Sequence, residues 1–188
     1  MENSNWNLDD IFELKDFDRL CVEARHNISK LDKYFGIMSP TMSSEDFLQF
    51  TKFHEECLEL IHRLGSRPAL MESTDQKDSL AIKLKNQVKD LEIYFSEKIQ
   101  PISLWLKGKQ VGDKAVLDDE NAKRLFSANE DLSYIYSYSR LMGRYSLDEK
   151  SENILTAKDA NGTRVITDLT DMIETEFVFD FKPKGDFS

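Results

Sequence analysis

Residues 75–107, DQKDSLAIKLKNQVKDLEIYFSEKIQPISLWLK, decide the fold of this chain. Apolar residues recur there every three or four positions, which is the period of an α-helix. They form one stripe, made of Leu80, Leu84, Val88, Leu91, Phe95, Ile99, Ile102 and Leu106. Because the residues between them are mostly polar, we expect one long amphipathic helix whose stripe is covered by other helices. Pro101 has no N–H to donate, so we expect a kink or a short break there.

The composition is that of a globular protein with a real core. The chain has 188 residues, of which 40% are hydrophobic, and its 7 glycines and 4 prolines are few for a fold rich in tight β-turns. Its formal net charge is −10. That charge argues against a nucleic-acid backbone or an anionic membrane as the main partner.

The cysteines and the N-terminus bear on the cellular compartment. Cys21 and Cys57 lie among apolar residues at helical spacing, which predicts two buried free thiols. The first residues show no basic region followed by an apolar run, so no secretory signal is predicted. No apolar stretch approaches the length of a membrane span. We therefore expect a soluble cytoplasmic protein.

Further helices are predicted on both sides of the long one. Their expected ranges are 16–35, 43–64, 118–143, 146–158 and 164–174, with a short helix within 66–71 after Pro68. Gly36 and Gly65 are expected to end the first two of these helices, because glycine adopts the left-handed conformation readily. A capping-box pattern, Ser146-Leu147-Asp148-Glu149, marks the start of the helix at 146.

The two ends of the chain have patterns of their own. Residues 5–14 are expected to form an extended entry and one turn that holds the N-terminus against the body. Phe177, Phe179 and Phe181 alternate with other residues, which predicts a short strand, either half of a hairpin or an edge. The predicted fold class is therefore all-α, an up-and-down bundle of about five or six helices with a short C-terminal strand.

The sharpest candidate for chemistry is the run His54-Glu55-Glu56-Cys57-Leu58. A zinc peptidase helix uses His-Glu-x-x-His, but Leu58 stands where the second histidine would be. His54 and Cys57 alone are too few ligands for zinc. We interpret His54 as a surface histidine on a charged helix, and we predict no catalytic, metal-binding or cofactor-binding residue in this chain.

Tyr134, Tyr136 and Tyr138 form an aromatic cluster in the predicted helix at 118–143. Such a cluster can line a groove for a peptide. More commonly the rings belong to the core and its rim, with the hydroxyls at the solvent edge, and we favour that interpretation.

Three segments carry a family resemblance. Residues 5–12, NWNLDDIF, resemble the Trp-x-Leu-x-x-Leu-Phe/Tyr opening of oligoendopeptidase F and related M3-family zinc metallopeptidases. Residues 145–155, YSLDEKSENIL, resemble that family's Leu-Ser-x-x-x-Glu segment with the leucine and serine exchanged. Gly162, Leu169 and the run Phe177-Val178-Phe179 resemble its Gly, Leu and Leu-x-Phe strand positions, with Ile166 in place of a tryptophan.

The resemblance implies that residues 1–175 are the N-terminal helical lobe of such a peptidase. Residues 176–188 would be a strand and tail leading toward a catalytic domain that this chain does not contain. In the family that lobe covers the substrate cleft and limits substrates to oligopeptides, and the zinc ion lies in the catalytic domain. No family residue is carried over as catalytic or metal-binding, because no position here matches His-Glu-x-x-His.

Two hypotheses follow, and they differ in class. In the first, the chain is a lobe of a peptidase, inactive alone, with a bare domain interface through which it can self-associate. In the second, it is a stand-alone acidic helical module that binds a protein or a peptide. The substrate-binding residues are left unassigned in both.

Overall fold

The computed structural model of this chain describes residues 7–145, 147, 151, 154–155, 158–159, 162–174 and 177. Those residues contain helices and no β-strand, so the prediction of an all-α fold is confirmed for the described part. The chain divides into two compact units, Met1–Arg144 and Tyr145–Ser188. The predicted strand lies outside the described residues except for Phe177, which is in no strand. Of the capping box at 146–149 only Leu147 is described, and the predicted boundary at 175/176 falls on residues that are not described.

The described helices are numbered in chain order. The first unit contains α1 Phe17–Ser29, α2 Leu31–Ile37, α3 Ser44–Thr74, α4 Ser79–Leu106, α5 Asp119–Phe126 and α6 Glu130–Met142. Short 3₁₀ turns lie at Leu8–Asp10, Leu14–Asp16 and Gly143–Tyr145. The second unit contains α7 Thr163–Glu174, which confirms the helix predicted at 164–174.

Helix α4 is the predicted long helix and lies at the centre of the first unit, where it packs against α1, α2 and α3. It begins at Ser79 because the Asp78 carboxylate caps it, accepting from the N–H groups of Leu80 and Ala81. The predicted stripe is buried or partly buried apart from Leu80, whose place is taken by the buried Ala81. The helix passes through Pro101 without a break, so of the expected kink or short break the break is not seen.

Helix α3 begins as predicted, with Ser43 as its N-cap, but it does not end at Gly65. It runs on to Thr74, through Gly65 and Pro68, as one helix of 31 residues. Leu64, Arg67 and Pro68 are buried, so tertiary packing holds the helix together where the local sequence favours a stop. The prediction of a separate short helix after Pro68 is therefore wrong.

Two other predicted helices are each divided. The helix expected at 16–35 bends at Lys30, whose N–H bonds to the carbonyl of Asn27, and the bend leaves Ile28 and Leu31 both fully buried. Gly36 lies inside α2 and does not end it. The helix expected at 118–143 breaks at 127–129, because the Asn129 side chain caps α6 by accepting from the N–H of Leu132.

The N-terminal turn is held against α3, as predicted, and an arginine does most of this. The buried Arg67 donates through Nη1 to the carbonyl of Leu8 at 2.9 Å, to Asp9 Oδ1 at 2.7 Å and to the carbonyl of Phe12. Its guanidinium also lies over the Phe12 ring. Arg63 adds one bond, from Nε to the carbonyl of Ile11 at 2.7 Å.

Arg140 fixes α6 to the loop that follows α4. Its Nη1 donates to the carbonyl of Leu106 at 3.1 Å, and its Nη2 donates to the carbonyl of Leu117 at 2.8 Å. Nε and Nη2 both bond to Asp119 Oδ1, at 2.9 and 2.8 Å. The guanidinium lies so close to Gly108, where φ is +77°, that a Cβ there would be 2.9 Å from Nη1. A Cβ at 108 would therefore displace the Arg140 guanidinium from the bonds that hold α6.

We predict that Gly108→Ala destabilises the first unit by about 2 kcal/mol or more, because it combines left-handed strain with displacement of Arg140. Gly112→Ala is the matched control. Gly112 also has a positive φ, +52°, but nothing lies within 4 Å of a Cβ there. Gly112→Ala should therefore lower the unfolding free energy only by the backbone strain, about 1 kcal/mol. Urea unfolding followed by circular dichroism measures both, and equal losses of stability would contradict the role given to Arg140.

Candidate functional site

His54, from the near-match to a zinc motif, lies between two aromatic rings. Its imidazole stacks on Phe50 of its own helix and on Phe95 of α4, with ring centroids 5.8 and 5.7 Å away. The interplanar angles are 14° and 11°. The side chain is half-buried, so the prediction of a surface histidine is wrong. Its role in the described structure is to pack α3 against α4.

The surroundings of His54 do not suit a zinc ion, the metal that the family resemblance implies for the parent enzyme. Burial lowers the pKa of His54 below its ordinary value of 6.5, which keeps the imidazole neutral as zinc requires, so the obstacle is the lack of further ligands beside it among the described residues. Burial also raises the pKa of the Cys57 thiol to about 11, so it stays protonated at neutral pH, whereas zinc binds the thiolate. Within the described residues, no group of three or more His, Cys, Asp or Glu side chains could hold a metal ion.

The two cysteines are both free, as predicted. Cys57 is buried, whereas Cys21 is half-buried. Burial raises the pKa of the Cys21 thiol to about 11 as well. Neither thiol therefore has the lowered pKa of a catalytic nucleophile.

A shallow cavity of about 160 Å³ lies between α5 and α6. It is lined by Asp119, Ala122, Lys123, Phe126, Ser127, Ser133, Ser137 and Arg140. Its carboxylate, Asp119, is already paired with Arg140. The cavity has hydroxyl groups and a lysine, but no histidine or cysteine that would serve as a base or nucleophile.

The tyrosine cluster faces in two directions. Tyr136 points inward, with its ring 5.4 Å from that of Phe126 and 5.5 Å from that of Phe47. Burial raises the pKa of its hydroxyl to about 12. Tyr136 therefore fits the predicted role at the core, and it docks α6 on α3 and α5.

The outer side of α6 is apolar and open to solvent. Tyr134 is 76% exposed, Ile135 57% and Tyr138 51%, and the rings of Tyr134 and Tyr138 stack at 6.0 Å. We call these three residues together with Leu141 and Met142 the α6 face. Whole rings are exposed here, so the expectation that only the hydroxyls reach solvent is wrong for Tyr134 and Tyr138. The helical spacing of these residues was visible in the sequence, but which side of the helix packs inward was not.

Helix α7, described by itself, also exposes an apolar stripe. The exposed residues are Val165, Ile166, Leu169, Met172 and Ile173. Their spacing is that of one face of an amphipathic helix. The second unit thus offers an apolar helical surface of its own.

The segments that carry the family resemblance are partly described. Leu8–Asp10 forms a 3₁₀ turn and Ile11 and Phe12 follow it, while Gly162 precedes α7, which carries Ile166 and Leu169. Most of residues 145–155 lie outside the described part. Comparison of the chain with models of known protein families, with curated proteins and with solved structures found no match.

None of the described helices combines the length and the hydropathy needed to cross a membrane.

The pH dependence of stability should reveal the partial burial of His54. Its pKa is lower in the folded than in the unfolded chain, so the unfolded chain binds the proton more readily. Its contribution to stability is complete above the ordinary pKa of 6.5 and is lost as the pH falls from there toward the folded pKa.

We therefore predict that, as the pH falls below 6.5, the unfolding free energy of wild type decreases relative to that of His54→Phe. Phenylalanine preserves the ring stack and does not titrate. His62→Gln, at an exposed position of the same helix, is the control and should follow wild type. Parallel curves for wild type and His54→Phe in urea titrations across this range would contradict the assignment.

Proposed function

We propose that this chain is a non-catalytic helical domain that acts by binding another protein surface through the α6 face. The observation that carries the proposal is the exposure of five large apolar side chains on one side of one helix. Contiguous apolar surface of this kind is typical of interaction sites on soluble proteins. Aromatic side chains contribute strongly at such sites because they bury a large area with little loss of conformational entropy.

The α6 face also has the rigidity that a binding surface needs. Arg140 ties α6 to Asp119 and to two backbone carbonyls, and Tyr136 packs it on aromatic rings. The stacking of Tyr134 on Tyr138 holds the two exposed rings in place. A surface that is ordered before binding loses less entropy when a partner docks.

The resemblance gives this proposal a specific form. The chain would be the N-terminal lobe of an oligoendopeptidase F-like zinc metallopeptidase, in the cytoplasm, and the α6 face would meet the catalytic domain that holds the zinc ion. The lobe would then act on oligopeptides only through the complete enzyme. The up-and-down arrangement of its helices and a short C-terminal strand beyond Phe177 belong to this proposal as well.

The second candidate function is a stand-alone protein- or peptide-binding module. The exposed rings of Tyr134 and Tyr138 favour it, because such rings are common where helices receive a peptide or another helix. The two candidates share the α6 face and differ in its occupant.

We predict that the full chain, incubated with zinc, cleaves fluorogenic oligopeptides no faster than buffer with zinc. The reason is that His54 lies between two rings and Cys57 keeps its proton, so the residues that the structure describes offer no set of zinc ligands. His54→Ala serves as the matched variant and should behave identically. Zinc-dependent cleavage that His54→Ala abolishes would overturn the non-catalytic proposal.

We predict that the chain binds the separately produced catalytic domain of an oligoendopeptidase F-like peptidase, as measured by isothermal titration calorimetry. Ile135→Ser combined with Tyr138→Ser should weaken binding at least about tenfold, because it removes the centre of the α6 face. Val22→Ser, at an exposed apolar residue of α1, is the matched control and should bind like wild type.

Binding that the double variant leaves intact would contradict the role of the α6 face. No binding by wild type would remove the peptidase form of the proposal and leave the stand-alone module.

A further inference from the structure

The charges of α6 are complementary to those of a second α6 helix that runs antiparallel to it. Glu130 and Asp131 occupy the first turn, and Arg144 follows the last turn. Glu130 and Arg144 are both exposed. The other arginine, Arg140, is already bound to Asp119 and to backbone carbonyls. This distribution offsets the helix dipole, but it also matches an antiparallel copy of the same helix.

The apolar residues between these charges have the spacing of a helix-pairing seam. Ile135, Tyr138 and Met142 are separated by three and four positions, the spacing at which side chains of two helices interdigitate. Tyr134 and Leu141 flank this line on one side. The α-helix has 3.6 residues per turn, and the 3₁₀ turn that follows Met142 has three. With this geometry, Glu130 and Arg144 lie on the same side of the helix as Tyr134 and Leu141.

We propose that the α6 face packs antiparallel against the α6 face of a second copy of this chain. The inference rests on the proposed function, since it names a partner for the same surface. A two-fold axis near Tyr138 places Tyr134 opposite Leu141 of the second copy, and Ile135 opposite its Met142. Such an interface is isologous, so each contact occurs twice.

The charges select this direction over the parallel one. In an antiparallel pair, the same side of each helix faces its counterpart, and the start of one helix lies beside the end of the other. Glu130 of each copy therefore lies beside Arg144 of the other, which gives two such ion pairs. A parallel pair would instead place Asp131 next to its own counterpart, with the acidic ends of both helices together. Like charges at that spacing are destabilising.

The size of the surface sets the strength of the pair. Helix α6 has 13 residues, and it offers one face. A stable interface buries about 800 Å² on each partner, and one face of a short helix is smaller than that. The dimer should therefore be weak, with a Kd on the order of micromolar.

Sedimentation velocity of the full chain, over a roughly hundredfold range of concentration around the micromolar, tests the proposal. The wild type is expected to shift from monomer to dimer across that range. Ile135→Ser combined with Tyr138→Ser should stay monomeric, and its circular dichroism should match wild type because both residues are more than half exposed. Val22→Ser, off the α6 face, should dimerise like wild type.

A charge exchange tests the direction of pairing. Arg144→Glu places two glutamates together in the antiparallel pair and should raise Kd by about tenfold, since the change occurs twice. Adding Glu130→Arg to Arg144→Glu restores opposite charges and should return Kd to the wild-type range. In a parallel pair, Arg144→Glu would not weaken association.

Three results would overturn the proposal. They are a wild type that stays monomeric throughout, a dimer that Ile135→Ser with Tyr138→Ser leaves unchanged, and a charge exchange that fails to restore affinity. The results that would overturn the proposed function are different from these three. A monomeric chain that still binds the catalytic domain through the α6 face overturns only the self-pairing, whereas a dimer of the predicted kind without such binding removes only the peptidase form.

Discussion

Helices α3 and α4 pack along most of their length, and the other helices of the first unit are placed by that contact. The chain between them, residues 75–78, is short, so the two helices run in opposite directions. Cys57, Ile61 and Leu64 of α3 share one buried cluster with the stripe of α4. Each fully buried large apolar side chain contributes about 1.5–3 kcal/mol to stability. The contact between α3 and α4 therefore stabilises the fold more than any single helix cap or ion pair in the described structure. Helices α1 and α2 cover its remaining sides, and α5 and α6 extend the cluster through Phe126 and Tyr136.

The strength of the contact between α3 and α4 explains where sequence patterns predicted the fold and where they failed. The stripe of α4 was predictable because burial on one face requires a helical period, and Asp78 marks its start. The end of α3 was not predictable from Gly65 and Pro68, because packing of Leu64 and Arg67 continues the helix past both. The break before α6 had a visible signal in Asn129 followed by Glu130 and Asp131, a cap and an acidic first turn.

The candidate site shows the same division between local pattern and tertiary contact. The sequence could show that His54 lacks a second histidine one turn away, but not that Phe50 and Phe95 enclose its ring. It could show a tyrosine cluster in one helix. Which tyrosine points inward depends on Phe47 and Phe126, one of them far away in the sequence, and on Arg140, whose bonds fix the orientation of α6. The α6 face is what remains when those inward contacts are satisfied.

The central claim is that the α6 face is a protein-binding surface on a rigid, non-catalytic helical domain. Backbone ¹H–¹⁵N NMR spectra of the labelled chain, recorded as it is diluted, test that claim most directly. We expect concentration-dependent shifts confined to α6 and the residues that it contacts, with the amides of α1 unchanged. Shifts centred on α1 or α4, with the α6 face unchanged, would contradict it, whereas an absence of shifts at every concentration would overturn the self-pairing alone.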